Sequence, residues 1–209
     1  EHHYICLVSI VIKLFMIKVA CVGDSITKGF TLLNPRKYSY PSLLQSWLGD
    51  QYEVRNFGVN NASARFDSDT PYIKTKSYKK SLEWGPEIIL LMLGSNDTKR
   101  SNWNRGIFEK DYKSIVESYL ALPSSPKIYL LAPIQIHLIK GIPLMGLYPE
   151  TMEGGVRPTI KRIADEFSLP FIDLKELFPD SRYAFDGVHP QKEGTRLMAE
   201  FIYNSIFTK

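Results

Sequence analysis

The chain reads as an α/β protein: a parallel sheet of five strands in the order 2-1-3-4-5, with helices on both faces. Three observations predict it. Short apolar, β-branched runs recur along the sequence, and those at Val19–Val22 and Ile88–Leu93 are continuously apolar, as strands covered on both faces are. Stretches with apolar residues at helical spacing lie between them. Several runs stop abruptly at small polar residues, which places loops at strand carboxyl ends. Strands and helices alternating at this spacing form βαβ units, and right-handed crossovers leave few topologies for them. The order 2-1-3-4-5 puts the first strand inside the sheet, beside a switch point where ligands bind in α/β folds.

Taken in order, the first strand runs through Ile17, Val19 and Val22 to Gly23, which permits a sharp turn and leaves Ser25 at the strand's carboxyl end. Gly23-Asp24-Ser25 is equally a good turn and helix cap, because Asp and Ser accept from nearby backbone N–H groups. A polar loop from Thr27 to Ser39 precedes a helix over Tyr40–Leu48, ended by Gly49. Tyr52–Phe57 is a second strand that closes on the small-residue loop Gly58–Ser63. A helix around Lys74–Trp84 ends at Gly85-Pro86, and the third strand then terminates in Gly94-Ser95-Asn96-Asp97. Phe108–Leu122 is an amphipathic helix and Lys127–Ala132 the fourth strand. The connection Ile134–Thr151 is unusually long, and loops of that length are often functional lids. A helix over Thr159–Phe167 has Pro158 in its first turn, and Phe171-Ile172-Asp173 is the fifth strand. Glu176–Ala184 forms a turn or short helix, and Asp186-Gly187-Val188-His189-Pro190 leads into a last helix over Gln191–Phe207. The arrangement is flavodoxin-like.

With 209 residues the chain fits one domain. Hydrophobic residues at 44% and charged residues at 23% argue against disorder and against a membrane bundle. The formal charge of +4 includes basic clusters at Lys74–Lys80 and Lys99–Arg105, but acidic residues are scattered throughout, and a solvated charged face explains the excess without nucleic acid. Cys6 and Cys21 give neither a disulfide framework nor metal-ligand spacing, so no metal is expected and the compartment stays open. Tyr4–Ile17 is apolar but too short to span a bilayer, and it lacks the basic start and small-residue cleavage site of a signal peptide. The domain is expected to cover 16–209, with residues 1–15 an upstream extension in which His2 and His3 are tag remnants; a degraded export signal is the alternative.

The informative polar residues gather on three strand-end loops and the turn before the last helix: Ser25, Gly58, Asn96, and Asp186 with His189. A serine hydroxyl is a weak nucleophile until a base takes its proton, and histidine suits that task near neutrality. A carboxylate three residues away can fix the imidazole tautomer. The Ser25 and Gly58 backbone N–H groups and the Asn96 amide can supply an oxyanion hole. Each residue has a plainer reading. Gly58 suits a strand-end turn, Asn96 and Asp97 suit caps, and Asp186 and His189 suit a surface turn and helix-entry packing. Their joint order is what points to chemistry. His137 is a second candidate base without a local carboxylate.

Gly23-Asp24-Ser25, Gly58 within Asn56–Asn60, Gly94–Asp97 and Asp186–Pro190 together resemble the four blocks of the SGNH hydrolases, also called GDSL esterases/lipases. The blocks are in order and span residues 23–190. The resemblance implies a three-layer α/β/α fold and cofactor-free, metal-free ester hydrolysis through an acyl-enzyme. By position, Ser25 matches the nucleophile, Gly58 and Asn96 the oxyanion donors, His189 the base and Asp186 the orienting acid, with Asp24 and Asp97 as loop supports. The wider context, Asn96–Lys99 followed by Asn102-Trp103, looks most like bacterial enzymes acting on acetylated carbohydrates. Trp103, Met145 and Tyr148 can then line a sugar or acyl pocket; Trp103 can equally be core. The expected partner is a small or carbohydrate ester, with oligomeric state left open. Lysophospholipase or thioesterase activity, and a non-catalytic doubly wound binding module, are the alternatives; the last leaves Asn96 and His189 unexplained.

Overall fold

In the computed structural model, which describes residues 16–208, five strands pair in parallel: β1 (Ile17–Gly23), β2 (Tyr52–Gly58), β3 (Ile88–Met92), β4 (Lys127–Ala132) and β5 (Phe171–Asp173). Their order across the sheet is β2-β1-β3-β4-β5, as the sequence predicts. The proposed extension over residues 1–15, with His2, His3 and Cys6, lies outside the described residues.

The register brings the chemistry-bearing loops level. Gly23 of β1 pairs with Gly58 of β2 on one side and Met92 of β3 on the other, so three strands end at one height. Alternate side chains divide two cores. Val19, Cys21, Leu90, Met92 and Leu131 pack with Tyr40 and Leu44 of helix α1 (Tyr40–Leu48) and with residues of the C-terminal helix. Ala20, Val22, Ile89, Leu91 and Leu130 face the other layer, which holds α2 (Lys76–Glu83), α3 (Arg105–Leu120) and α4 (Arg157–Glu166). The C-terminal helix α5 (Lys192–Ile206) supplies Met198 and Ile202 to the first core. Three layers result, and the central strands are apolar at consecutive positions because both of their faces are covered.

Several helix starts differ from expectation because side-chain caps set them. α3 begins at Arg105 rather than Phe108, since Asn104 accepts the Ile107 N–H at 3.1 Å; α2 begins at Lys76, where Thr75 accepts from Tyr78 at 3.1 Å. The long connection after β4 is less bare than its composition suggests. It contains an isolated bridge between Ile139 and Ile142 and a 3₁₀ turn at Leu144–Gly146, and helical turns resume at Pro149. A π-helical turn, Met152–Val156, then leads into α4. The helix expected from Thr159 starts early because Arg157 is held at its entrance: its guanidinium bonds Glu153, Asp173 and the Pro133 carbonyl. Glu176–Ala184 lies among two 3₁₀ turns, Lys175–Leu177 and Ser181–Tyr183. Among the described residues, no helix is long and apolar enough to cross a membrane.

Candidate active site

Ser25 opens a single helical turn, Ser25–Lys28, directly after β1. Asp24 caps that turn, accepting the Ile26 N–H at 2.9 Å, and burial raises the Asp24 carboxyl above its usual range. The Ser25 N–H, at the first position of the turn, has no intrahelical acceptor, as is general for helix-start N–H groups.

From 164 residues further along the chain, after β5, the Asp186–His189 turn delivers an imidazole to the serine. His189 Nε2 lies 2.8 Å from Ser25 Oγ, and His189 Nδ1 lies 2.7 Å from Asp186 Oδ2. The other carboxylate oxygen of Asp186 accepts the backbone N–H groups of Val188 at 3.0 Å and His189 at 2.7 Å. Partial burial works to raise the Asp186 carboxyl, but these hydrogen bonds from His189 and Val188 outweigh it and hold the group below its usual value. Asp186 therefore stays ionised and fixes the ring so that Nε2 faces the hydroxyl. Ser25 and His189 are 7% and 3% exposed, which limits competing water at that contact.

The Gly94–Thr98 turn after β3 is buried throughout. Asn96 donates one amide hydrogen to the Ala62 carbonyl at 3.1 Å, and its own backbone carbonyl accepts from Asn102 Nδ2 at 3.0 Å. The bond to Ala62 is the one donation the Asn96 side-chain amide makes among the described residues. Asp97 binds the chain beside β2, accepting the N–H groups of Ala64 at 2.9 Å and Arg65 at 3.0 Å. Burial pushes its carboxyl up to about 7 despite these two donors. Both aspartates expected as loop supports have that role.

Gly58 differs from its expected part. Its single N–H donates to Asn56 Oδ1 at 2.9 Å, so in this arrangement it is not offered to an oxyanion. The glycine is required for a different reason: a Cβ there would stand 2.4 Å from the Lys28 nitrogen and 2.9 Å from the Asp24 carbonyl oxygen. Asn56 ties the two loops together by also donating to the Thr27 carbonyl at 2.7 Å. The strained backbone in this loop lies at Asn61, φ 61°, one residue before the Ala62 carbonyl that holds Asn96. Sequence reading passed over Asn61, although Asn-Asn in a small-residue loop is a signal for a left-handed residue.

The three expected pocket residues separate. Tyr148 is drawn to the site's third loop, its N–H donating to Thr98 Oγ1 at 3.2 Å, with the Arg100 guanidinium 4.6 Å over its ring. Trp103 packs inward against Phe108 and lies on Gly155, where a Cβ would come within 2.2 Å of the indole. Of its two readings the structure thus favours packing. Met145 is exposed, at a left-handed φ of 57°. His137 Nε2 contacts the Phe178 carbonyl at 2.9 Å and its N–H donates to the Gly187 carbonyl, a bracing position away from the serine. Cys21 is buried in β1, and burial raises its thiol far out of the reactive range. Among the described residues, no group of three His, Cys, Asp or Glu side chains gathers to hold a metal ion.

A model of the GDSL-like lipase/acylhydrolase family matches residues 21–197. An acetylxylan esterase from Xylanibacter ruminicola is 32% identical over 210 residues, an alignment covering 91% of this chain and 43% of that protein. The chain thus spans less than half the length of this curated relative. Among solved structures, a carbohydrate acetylesterase from Sinorhizobium meliloti has a TM-score of 0.74 at 18% identity, covering 91% of this chain and 98% of that one. A catalytic mutant of the acetylxylan esterase Axe2 from Geobacillus stearothermophilus has a TM-score of 0.73 at 19% identity, covering 92% and 95%. These structural likenesses establish the shared fold. With its four sequence blocks inside a single matched span and its length aligned to a relative at nearly one residue in three, the chain belongs to the GDSL-like lipase/acylhydrolase family.

Proposed function

We propose that this chain is a serine esterase that removes short acyl groups, acetyl first among them, from carbohydrates or related small esters. The observation that carries the reading is the hydrogen-bonded line from Asp186 through His189 to Ser25 Oγ, with a 2.8 Å contact at its reactive end. In the proposed cycle His189 takes the Ser25 proton as Oγ bonds the ester carbonyl carbon. Negative charge then develops on the carbonyl oxygen, where the Ser25 N–H and the second Asn96 amide hydrogen are the available donors. Collapse breaks the ester C–O bond, His189 returns the proton to the leaving alcohol, and the acyl group stays on Ser25. Water, deprotonated by the same imidazole, releases the acid and restores the hydroxyl. Asp186 keeps its charge throughout and stabilises the imidazolium.

The acetyl and carbohydrate parts of the reading draw support from the acetylxylan esterase relative and from the polar, aromatic surroundings of the third loop. Turnover of p-nitrophenyl acetate by wild type and Ser25→Ala tests the mechanism; equal rates would remove Ser25 from it. Acetate release from acetylated xylan, acetylated sialic acid and aryl esters, followed by an acyl chain-length series, tests the substrate. A rate that climbs with chain length would favour the lysophospholipase or thioesterase alternative.

A further inference from the structure

Phe30 stands beside the reacting groups without a role in the cycle above. Its ring centroid lies 5.2 Å from that of His189 at an interplanar angle of 55°, yet the side chain is 55% exposed while the imidazole is almost completely covered. Its position is fixed from two sides. The Phe30 N–H donates to the Ser25 carbonyl at 3.1 Å, which ties it to the nucleophile's own turn, and the neighbouring Thr31 hydroxyl accepts from Gln191 Nε2 at 3.3 Å, which ties the loop to the residues following His189. A half-exposed phenylalanine held this way leaves an apolar ring face open at the mouth of a polar site.

The chemistry decides which part of a substrate meets that face. The leaving oxygen must receive its proton from His189 Nε2, so the atoms attached to it lie next to the imidazole. The oxyanion donors, Ser25 and Asn96, belong to the other side of the reacting carbon. We infer that Phe30 is a platform for a ring-shaped alcohol, a pyranose, on the leaving-group side of the site. A pyranose presents a face of C–H bonds that packs on a π cloud and keeps its hydroxyls at the rim for water. This deepens the esterase reading and rests on it.

The test compares kcat/KM for a peracetylated methyl xyloside with that for vinyl acetate, whose alcohol portion is too small to cover the ring. Wild type, Phe30→Ala, Phe30→Leu and Phe30→Trp are each assayed on both substrates from one sample, so that any misfolded fraction cancels in the ratio. The xyloside-to-vinyl ratio is expected to fall about five-fold in Phe30→Ala and in Phe30→Leu, through KM, and to stay within about two-fold of wild type in Phe30→Trp. A ratio unchanged in Phe30→Ala, or retained by Phe30→Leu, overturns the platform while the esterase reading survives. A wild type inactive on both esters overturns the esterase reading, and the platform with it.

Discussion

Two segments leave the carboxyl end of the sheet from neighbouring strands and obey opposite rules. Gly94–Thr98, after β3, contains three polar side chains and an aspartate and is buried at every position. The segment from Ile134 to Tyr148, after β4, is largely apolar and leaves Leu138, Ile142 and Met145 exposed. Soluble proteins ordinarily hide the apolar and expose the polar. Asn96, Asp97 and Asn102 hold the polar turn in place by bonding neighbouring loops, while Ser95 Oγ in the same turn is buried without a hydrogen-bond partner; a buried group left so costs about 1–3 kcal/mol. The apolar segment carries no such demand. Fixed position is thus assigned to the buried polar turn, and adaptable contact to the exposed apolar one.

If the buried polar shell does the chemistry, its loss should be felt in kcat before anything else. Ser25→Ala is expected to lower kcat on p-nitrophenyl acetate by about 10⁴-fold or more. A residual rate within about ten-fold of wild type would break the assignment.

Asn96→Ala tests the turn itself. It is expected to reduce kcat by about 10²–10³-fold with a smaller change in KM, since an oxyanion donor acts on the transition state. A loss confined to thermal stability, with kcat preserved, would make Asn96 a scaffold for Ala62 alone.

Asp97 gives the comparison a pH axis. Its folded carboxyl is raised from 3.8 to about 7 by burial, so the folded state binds its proton more tightly than the unfolded chain. That contribution to stability is complete below the ordinary carboxylate value and is lost as pH rises from about 4 to 7, an effect on the order of a few kcal/mol. Asp186, held low by His189 and Val188, acts in reverse: its contribution is present above 3.8 and is lost on acidification. Urea unfolding at intervals from pH 4 to 8 should show stability falling between about pH 4 and 7 and levelling above it, with a flatter curve in Asp97→Asn. An unchanged curve in that variant would place the proton elsewhere.

The smallest effects belong to the apolar segment. Ile142→Ser and Met145→Ser should each stay within about 0.5 kcal/mol of wild-type stability, measured by the same unfolding. A larger loss would mean the segment is part of the cooperative core, and the contrast between the two loops would fail.

The strand order was legible because β1 and β3 are apolar at successive positions and end in small polar residues, a signature that burial on both faces imposes directly. The Ser25, Asp186 and His189 arrangement was legible for a related reason: each lies at a fixed chain offset from a strand end or helix start. What escaped were contacts made by side chains onto distant backbone. Asn56 two residues before Gly58 is an Asx-turn pattern that, read locally, would have shown the glycine N–H already taken. The packing of Trp103 on Gly155 depends on a π-helical turn with no local sequence mark. The bracing role of His137 likewise depends on Phe178, 41 residues on.

The turn from Asp186 to His189 has a consequence for how the protein would lose activity on warming. The acid holds both the imidazole and the backbone that carries it, and Gly187, at φ 79°, sits where a Cβ would strike the His137 carbonyl oxygen at 2.1 Å. Asp186 and His189 are therefore bonded into one unit, a cartridge packed against the segment after β4 and continuous with α5. Loosening the carboxyl-terminal helix would leave the imidazole correctly oriented on its aspartate while lengthening its contacts with the loop after β1: the one to Ser25, the Phe30 packing and the Gln191–Thr31 bond. Inactivation would then precede unfolding and reverse on cooling, as a cartridge slides back into its seat.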